Sequence, residues 1–151
     1  MSRLEYKLLD EIHDFPLLYY YEHIAPTEIA IRFSCDYFVK DGVTYERTSC
    51  AAQPPVYTIY VQKAQKQDWF ESGPSTNKGK GLKMELRQFL EDTAYFPQIH
   101  VFDFDDSLKL LLLLQSDYIY WLGQEWRKTS AEIDEDRKTY VYYAEQTSGG
   151  R

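Results

Sequence analysis

Residues 29–50 read Ile-Ala-Ile-Arg-Phe-Ser-Cys-Asp-Tyr-Phe-Val-Lys-Asp-Gly-Val-Thr-Tyr-Glu-Arg-Thr-Ser-Cys, the clearest pattern in the chain. Ile29, Ile31, Phe33, Cys35 and Tyr37 alternate with Ala30, Arg32, Ser34, Asp36 and Phe38. That period of two predicts a strand with one buried face. Asp41-Gly42 tolerates the positive φ angles of a type I′ turn, and a return strand from Val43 to about Cys50 completes a β-hairpin. A two-residue turn sets Phe33 opposite Cys50 and Cys35 opposite Thr48. The two cysteines then share a face but lie diagonally, so a disulfide would need a register slip or a bulge, and free thiols are expected.

Elements on either side follow from spacing and breakers. Leu4, Leu8, Leu9 and Ile12 form one stripe at helical spacing, which predicts a helix over 3–13 stopped by Pro16. Leu17 to Tyr21 suits a short strand. Pro54-Pro55 ends the return strand of the hairpin, and Val56 to Val61 makes a third. Residues 63–81 carry little apolar content and read as the longest loop. Leu82, Leu86, Phe89 and Leu90 predict a helix from Leu82 to Ala94, closed by Pro97. Ile99 to Phe104 is strand-like, and Asp105, Asp106 and Ser107 are cap residues opening a helix through Leu114. With Tyr118 to Leu122 as a further strand, this makes a small βαβ unit. Ile133, Arg137, Tyr140, Val141 and Ala144 fit a last helix capped by Thr129 or Ser130, although Tyr140 to Tyr143 has strand composition. No internal repeat is apparent. The expected fold is α+β: a mostly antiparallel sheet of four to six strands with three or four helices in a single layer on it. Residues 1–145 are expected to form one globular domain, with 146–151 as a flexible tail.

Composition narrows the function classes. The chain has 151 residues, the size of one ordinary domain, and 44% of them are hydrophobic. Fourteen Tyr, eight Phe and three Trp give an aromatic share of 17%, far from that of a disordered chain. A net charge of −7 argues against nucleic acid, whose phosphates need clustered Lys and Arg, and is compatible with a basic protein partner. Cys35 and Cys50 make neither a metal motif nor a disulfide framework. Met1 to Asp10 has no apolar run or cleavage signal, and Leu108 to Leu114, interrupted by Lys109, is far short of the ~20 residues that span a bilayer. A cytoplasmic protein without membrane contact is the expectation. Its oligomeric state is left open.

The strand-like Val101-Phe102-Asp103-Phe104-Asp105-Asp106-Ser107-Leu108 resembles the first motif of the haloacid dehalogenase-like phosphatases. That resemblance implies a nucleophile at Asp103 and a proton donor at Asp105. The surroundings depart from the family, because only 43 residues follow Leu108, too few for the rest of such a sheet and its downstream motifs. The stretch therefore reads as a strand running into a helix capped by Asp105 or Asp106. Gly73 to Gly81 is similar to a phosphate-binding loop, but the spacing is one residue too long and Gly81 stands where a hydroxyl would bind magnesium. Lys63, Lys66, Lys78, Lys80, Lys83 and Arg87 still outnumber Asp68, Glu71 and Glu85, so Lys78 and Lys80 are candidates for an anion or phosphate contact before a helix N-terminus. His13, His23 and His100 have no ligand spacing, and no catalytic residue, metal or cofactor is assigned.

The remaining lead is an acidic, aromatic surface. Tyr19 to Tyr21, Tyr118 with Tyr120 and Trp121, and Tyr140 with Tyr142 and Tyr143 form three aromatic groups. Glu132, Asp134, Glu135 and Asp136 concentrate negative charge beside Tyr140. Such a surface suits a basic protein, as in inhibitors or immunity proteins that block cationic toxins. An acidic binding domain is the reading preferred here over a small enzyme or ligand-binding domain that uses the 73–81 loop.

Overall fold

A computed structural model describes residues 2–64, 82–93 and 95–147. In chain order they form β1 (Ser2–Leu8), β2 (Leu17–Ile24), α1 (Pro26–Phe33), β3 (Tyr37–Lys40), β4 (Val43–Gln53), β5 (Val56–Lys63), β6 (Leu82–Gln88), β7 (Gln98–Phe104), α2 (Ser107–Gln115), β8 (Tyr118–Trp121), β9 (Gln124–Asp134) and β10 (Thr139–Gln146). All ten strands join one mixed sheet in the order β2-β1-β5-β4-β3-β9-β10-β6-β7, with β8 also paired to β9. This corrects the expected α+β architecture. The described residues form ten strands where four to six were expected. Among the described residues there are two short helices in place of three or four, and β1–β5, β6–β10 and β3–β9 run parallel.

Two of the corrections share one cause. Residues 2–8 and 82–88 satisfy two periods at once, and burial chose the period of two. Leu4 and Tyr6 are buried while Arg3, Glu5 and Lys7 face the other way. Met84 and Leu86 share one face of β6, and on the other Glu85 and Arg87 are buried as well, beside half-buried Lys83. Leu9 and Ile12, half of the expected helical stripe, are 47% and 90% exposed. The last expected helix is instead β9, a turn and β10. Thr139 to Ala144 is buried on both faces, as in an interior strand flanked on each side. The opposite substitution occurs at 29–33, where an expected strand is the helix α1. Pro26 fits the first helical turn, Glu28 sits at the positive end of the helix, and Arg32 pairs back to Glu28 at 3.3 Å. The Asp41-Gly42 hairpin turn survives intact, with Lys40 opposite Val43 and φ values of 53° and 75°.

The second departure is an internal repeat, which the sequence did not disclose. The series β-β-α-β-β-β occurs twice, β1 to β5 with α1 and then β6 to β10 with α2, and each copy is paired alike. Single hydrogen bonds recur. Leu9 N donates to Val61 O at 2.7 Å and Phe89 N to Ala144 O at 2.7 Å; Arg47 N donates to Asp36 O at 2.8 Å and Lys128 N to Asp117 O at 2.8 Å. Both long strands carry a bulge at a threonine, where Thr48 Oγ1 donates to Tyr60 O (3.0 Å) and Thr129 Oγ1 to Tyr143 O (3.2 Å).

The two copies face each other around a shared central column. β4 and β9 run antiparallel, each backed by its own neighbour, β5 or β10. β3 fills the space between the first half of β4 and the second half of β9. β8 lies along the first half of β9, in the same column. Ile29, Ile31, Leu110 and Leu114 from the helices join Leu4, Tyr6, Ile59, Met84, Leu86, Ile133 and Tyr142 in one core.

Candidate protein-binding edges

Of the five residues assigned to an acidic binding surface, Glu132, Asp134 and Tyr140 are buried and Glu135 is half-buried. β9 sends Glu132 and Asp134 to one face of the sheet. Arg137 Nε donates to Asp134 Oδ2 at 2.9 Å, and its Nη1 and Nη2 donate to the Glu85 carboxylate at 2.6 and 3.0 Å. Arg87 Nε donates to the same carboxylate at 2.7 Å. The side chains of Glu132, Asp134, Arg137, Glu85 and Arg87 are all buried. Burial pushes Glu85 up, but its hydrogen bonds from Arg137 and Arg87 outweigh that and hold it below its ordinary value. Burial and the neighbouring Asp134 push Glu132 up to about 8, and its Oε1 accepts from Tyr143 OH at 3.2 Å.

Glu135 works on the opposite face. It receives the Arg32 guanidinium of α1 and the Tyr21 hydroxyl (2.8 Å), while Arg32 Nη1 donates to Tyr6 OH at 3.2 Å. Tyr140 is buried. Asp136 alone is exposed, and its carboxylate accepts from Asp41 N (2.7 Å) and Gly42 N (2.9 Å). The strand alternation Ala131-Glu132-Ile133-Asp134-Glu135 was the available signal that these acids would split between two faces.

Of the phosphatase-like aspartates, Asp103 lies on the outermost strand β7 and Asp105 just beyond its end. Asp103 is 70% exposed and pairs with Lys83 at 2.5 Å, and Asp105 is 84% exposed and pairs with Lys109 at 3.4 Å. Asp106 Oδ1 accepts from Leu108 N at 2.9 Å, the cap the sequence called for. Lys78 and Lys80 lie outside the described residues. No helix is long and apolar enough to cross a membrane among the residues described.

The acidic surface lies at the two ends of the sheet. Residues 8–31 contain Asp10, Glu11, Asp14, Glu22 and Glu28 and no Lys or Arg. In the second repeat the stretch 88–108 contains Glu91, Asp92, Asp103, Asp105 and Asp106 with no Lys or Arg, and Lys109 stands at the place of Glu28. These stretches hold β2 and β7, the outermost strands, with the loops that lead into them. Exposed apolar groups stand among the acids: Leu9, Ile12, Leu17 and Tyr20 on one end, Leu90 and Tyr95 on the other. Bases reach these acids from neighbouring elements: Arg3 of β1 pairs with Glu22 as Lys83 of β6 pairs with Asp103, and Arg32 and Lys109 of the helices pair with Glu28 and Asp105.

Fold and edges together define a tandem-repeat β-sheet protein with two acidic outer strands. Comparison with protein-family models, curated proteins and solved structures finds no match to the chain.

Proposed function

We propose that the chain is an acidic protein-binding domain, of inhibitor or immunity type, that takes a basic, extended segment of a cytoplasmic partner along its outer strands. The observation that carries this reading is that both outer strands, with their loops, hold carboxylates and exposed apolar side chains but no Lys or Arg. An outermost strand presents a row of backbone N–H and C=O groups to an incoming strand. Carboxylates steer a cationic partner to it and reject an anionic one. No catalytic step is assigned to the protein.

The test uses a lysine-rich extended peptide as probe, with a glutamate-rich peptide of equal length as control, titrated at low and at moderate salt. Binding of the basic peptide alone, weakening as salt rises, is expected. The double change Asp14→Lys and Glu22→Lys should remove the binding contributed by β2. Equal binding of both peptides, or binding of neither, overturns the proposal.

A further inference from the structure

Symmetry between the two repeats defines two equivalent seams, and among the described residues one of them is closed. In the closed seam β3 lies parallel to the second half of β9, with Tyr37 opposite Glu132 and Phe38 opposite Ile133. Asp36 N donates to Ala131 O (2.8 Å), Asp36 Oδ2 accepts from Ala131 N (2.9 Å), and Glu135 N donates to Val39 O (2.8 Å). The matching seam would bring β8 against the second half of β4, Tyr118 opposite Ala51 and Ile119 opposite Ala52. Among the described residues β8 pairs with β9 alone, and Ser49 to Gln53 pairs with β5 alone.

The sequence explains the difference. Arg32, Glu135 and Asp136 clamp the closed seam. Their repeat-equivalents are Leu113, Pro54 and Pro55, which make no ion pair, and neither proline has an N–H to donate. Both sides of the open seam are consequently exposed. Ala51, Ala52 and Gln53 are exposed, whereas their equivalents Glu132, Ile133 and Asp134 are buried. On the other side Leu112 is 61% exposed while its equivalent Ile31 is 1% exposed. Tyr118 is 47% exposed.

We propose that this open seam is closed by a second copy of the chain, β8 of one copy lying parallel to the second half of β4 of the other. Each copy carries both halves of the contact, β8 and the second half of β4, in the places that β3 and the second half of β9 hold in the closed seam. Within one chain, β3 holds β4 to β9 at the far end, and among the described residues β8 and the second half of β4 stay unpaired with each other at the near end. A second copy is not bound by that constraint. Two chains exchanging the contact reciprocally form a closed dimer, and the exposed edges of both are covered.

Two substitutions separate this contact from folding. The pairing of Gln53 with Val56 and of Tyr118 with Arg127 fixes which backbone groups face the seam. Ala52 and Tyr118 direct their N–H groups away from β5 and β9. Ala52→Pro and Tyr118→Pro thus remove a donor from the seam and none from the sheet. Sedimentation over a wide concentration range should give the native chain twice the 17.9 kDa of a monomer, and each variant the mass of one chain with an unchanged circular dichroism spectrum. Mixing the two variants should restore a dimer, because one retains an intact β8 edge and the other an intact β4 edge. A native chain that stays monomeric overturns the proposal. So does a dimer that survives both substitutions, or a mixture that stays monomeric.

Discussion

Gln115 Nε2 donates to Ser34 Oγ across 3.2 Å, and these two residues hold the same place in the two repeats. Equivalent positions touch only where an axis relating the copies passes, so the contact marks the approximate two-fold of the sheet. Around that axis the strand order reads the same from either end, apart from the central column that β3 and β8 share. The departures from symmetry are therefore informative. One seam is held by charge, and the other lacks the residues to do so.

The closed seam should depend on Arg32. Its side chain is buried, and it satisfies Glu135, Tyr6 and Glu28 together. Burial raises the Glu135 carboxyl, but Arg32 overcomes that and holds it below its ordinary value. Arg32→Leu, the type of residue at the equivalent Leu113, strands that carboxylate and should cost about 3–5 kcal/mol by urea unfolding at pH 7. The sign with pH follows from the lowered value. The pair stabilises the fold above the unfolded carboxyl range and is lost as pH falls through the folded one. The deficit of the variant should accordingly shrink in acid.

The two bulge threonines offer a test of equivalence between the repeats. Thr48→Val and Thr129→Val each delete one hydrogen bond to a strand carbonyl while nearly conserving shape. Each should cost about 1 kcal/mol in denaturant unfolding. The two sites share no partner, so the double variant should lose the sum to within about 0.5 kcal/mol. A double loss well short of the sum would indicate that the repeats unfold separately.

Glu132 gives the opposite sign of pH dependence. Its folded carboxyl titrates at about 8 because it is buried and lies beside Asp134. Arg137, Glu85 and Tyr143 face it from the turn, β6 and β10. The unfolded chain releases this proton near the ordinary carboxyl value, so the folded state holds more protons between the two values. The stabilisation is complete below the unfolded value and is lost as pH rises through about 8. Glu132→Gln retains an acceptor for the Tyr143 hydroxyl and removes the titration. Its unfolding free energy should match the native chain near pH 5 and exceed it by a few kcal/mol at pH 9. Equal slopes for both proteins between these limits would contradict the burial argument.

How much of this was legible in the chain depends on competition between periods. The Asp41-Gly42 turn, β5, β7, the Asp106 cap and α2 were readable because local chemistry has a single solution there. β1 and β6 were not, because their apolar residues fit both a helix and a strand, and only pairing with β5 and β10 decides. The repeat was hidden for another reason. Its copies keep Asp-Tyr at 36–37 and 117–118 and Thr-Ser at 48–49 and 129–130, but β4–β5 turns through two residues where β9–β10 turns through four. The binding acids failed to form one patch because a strand divides successive side chains between faces. The acids at the sheet ends were invisible as a group until β2 and β7 were known to be outermost.

The hairpin between β3 and β4 carries the backbone donors that Asp136 holds. Gly42 adopts φ +75°, and a Cβ built there meets no atom within 4 Å. The cost of Gly42→Ala is therefore conformational alone, about 1 kcal/mol, with no clash to add. Asp136→Ala leaves the Asp41 and Gly42 N–H groups to water at an exposed site, and should cost a similar amount. The two changes act on one turn, so their combined loss should differ from the sum, unlike the threonine pair. Thermal melts of the two single variants and the double variant decide the matter. Strict additivity would mean that Asp136 does not hold the left-handed turn in place.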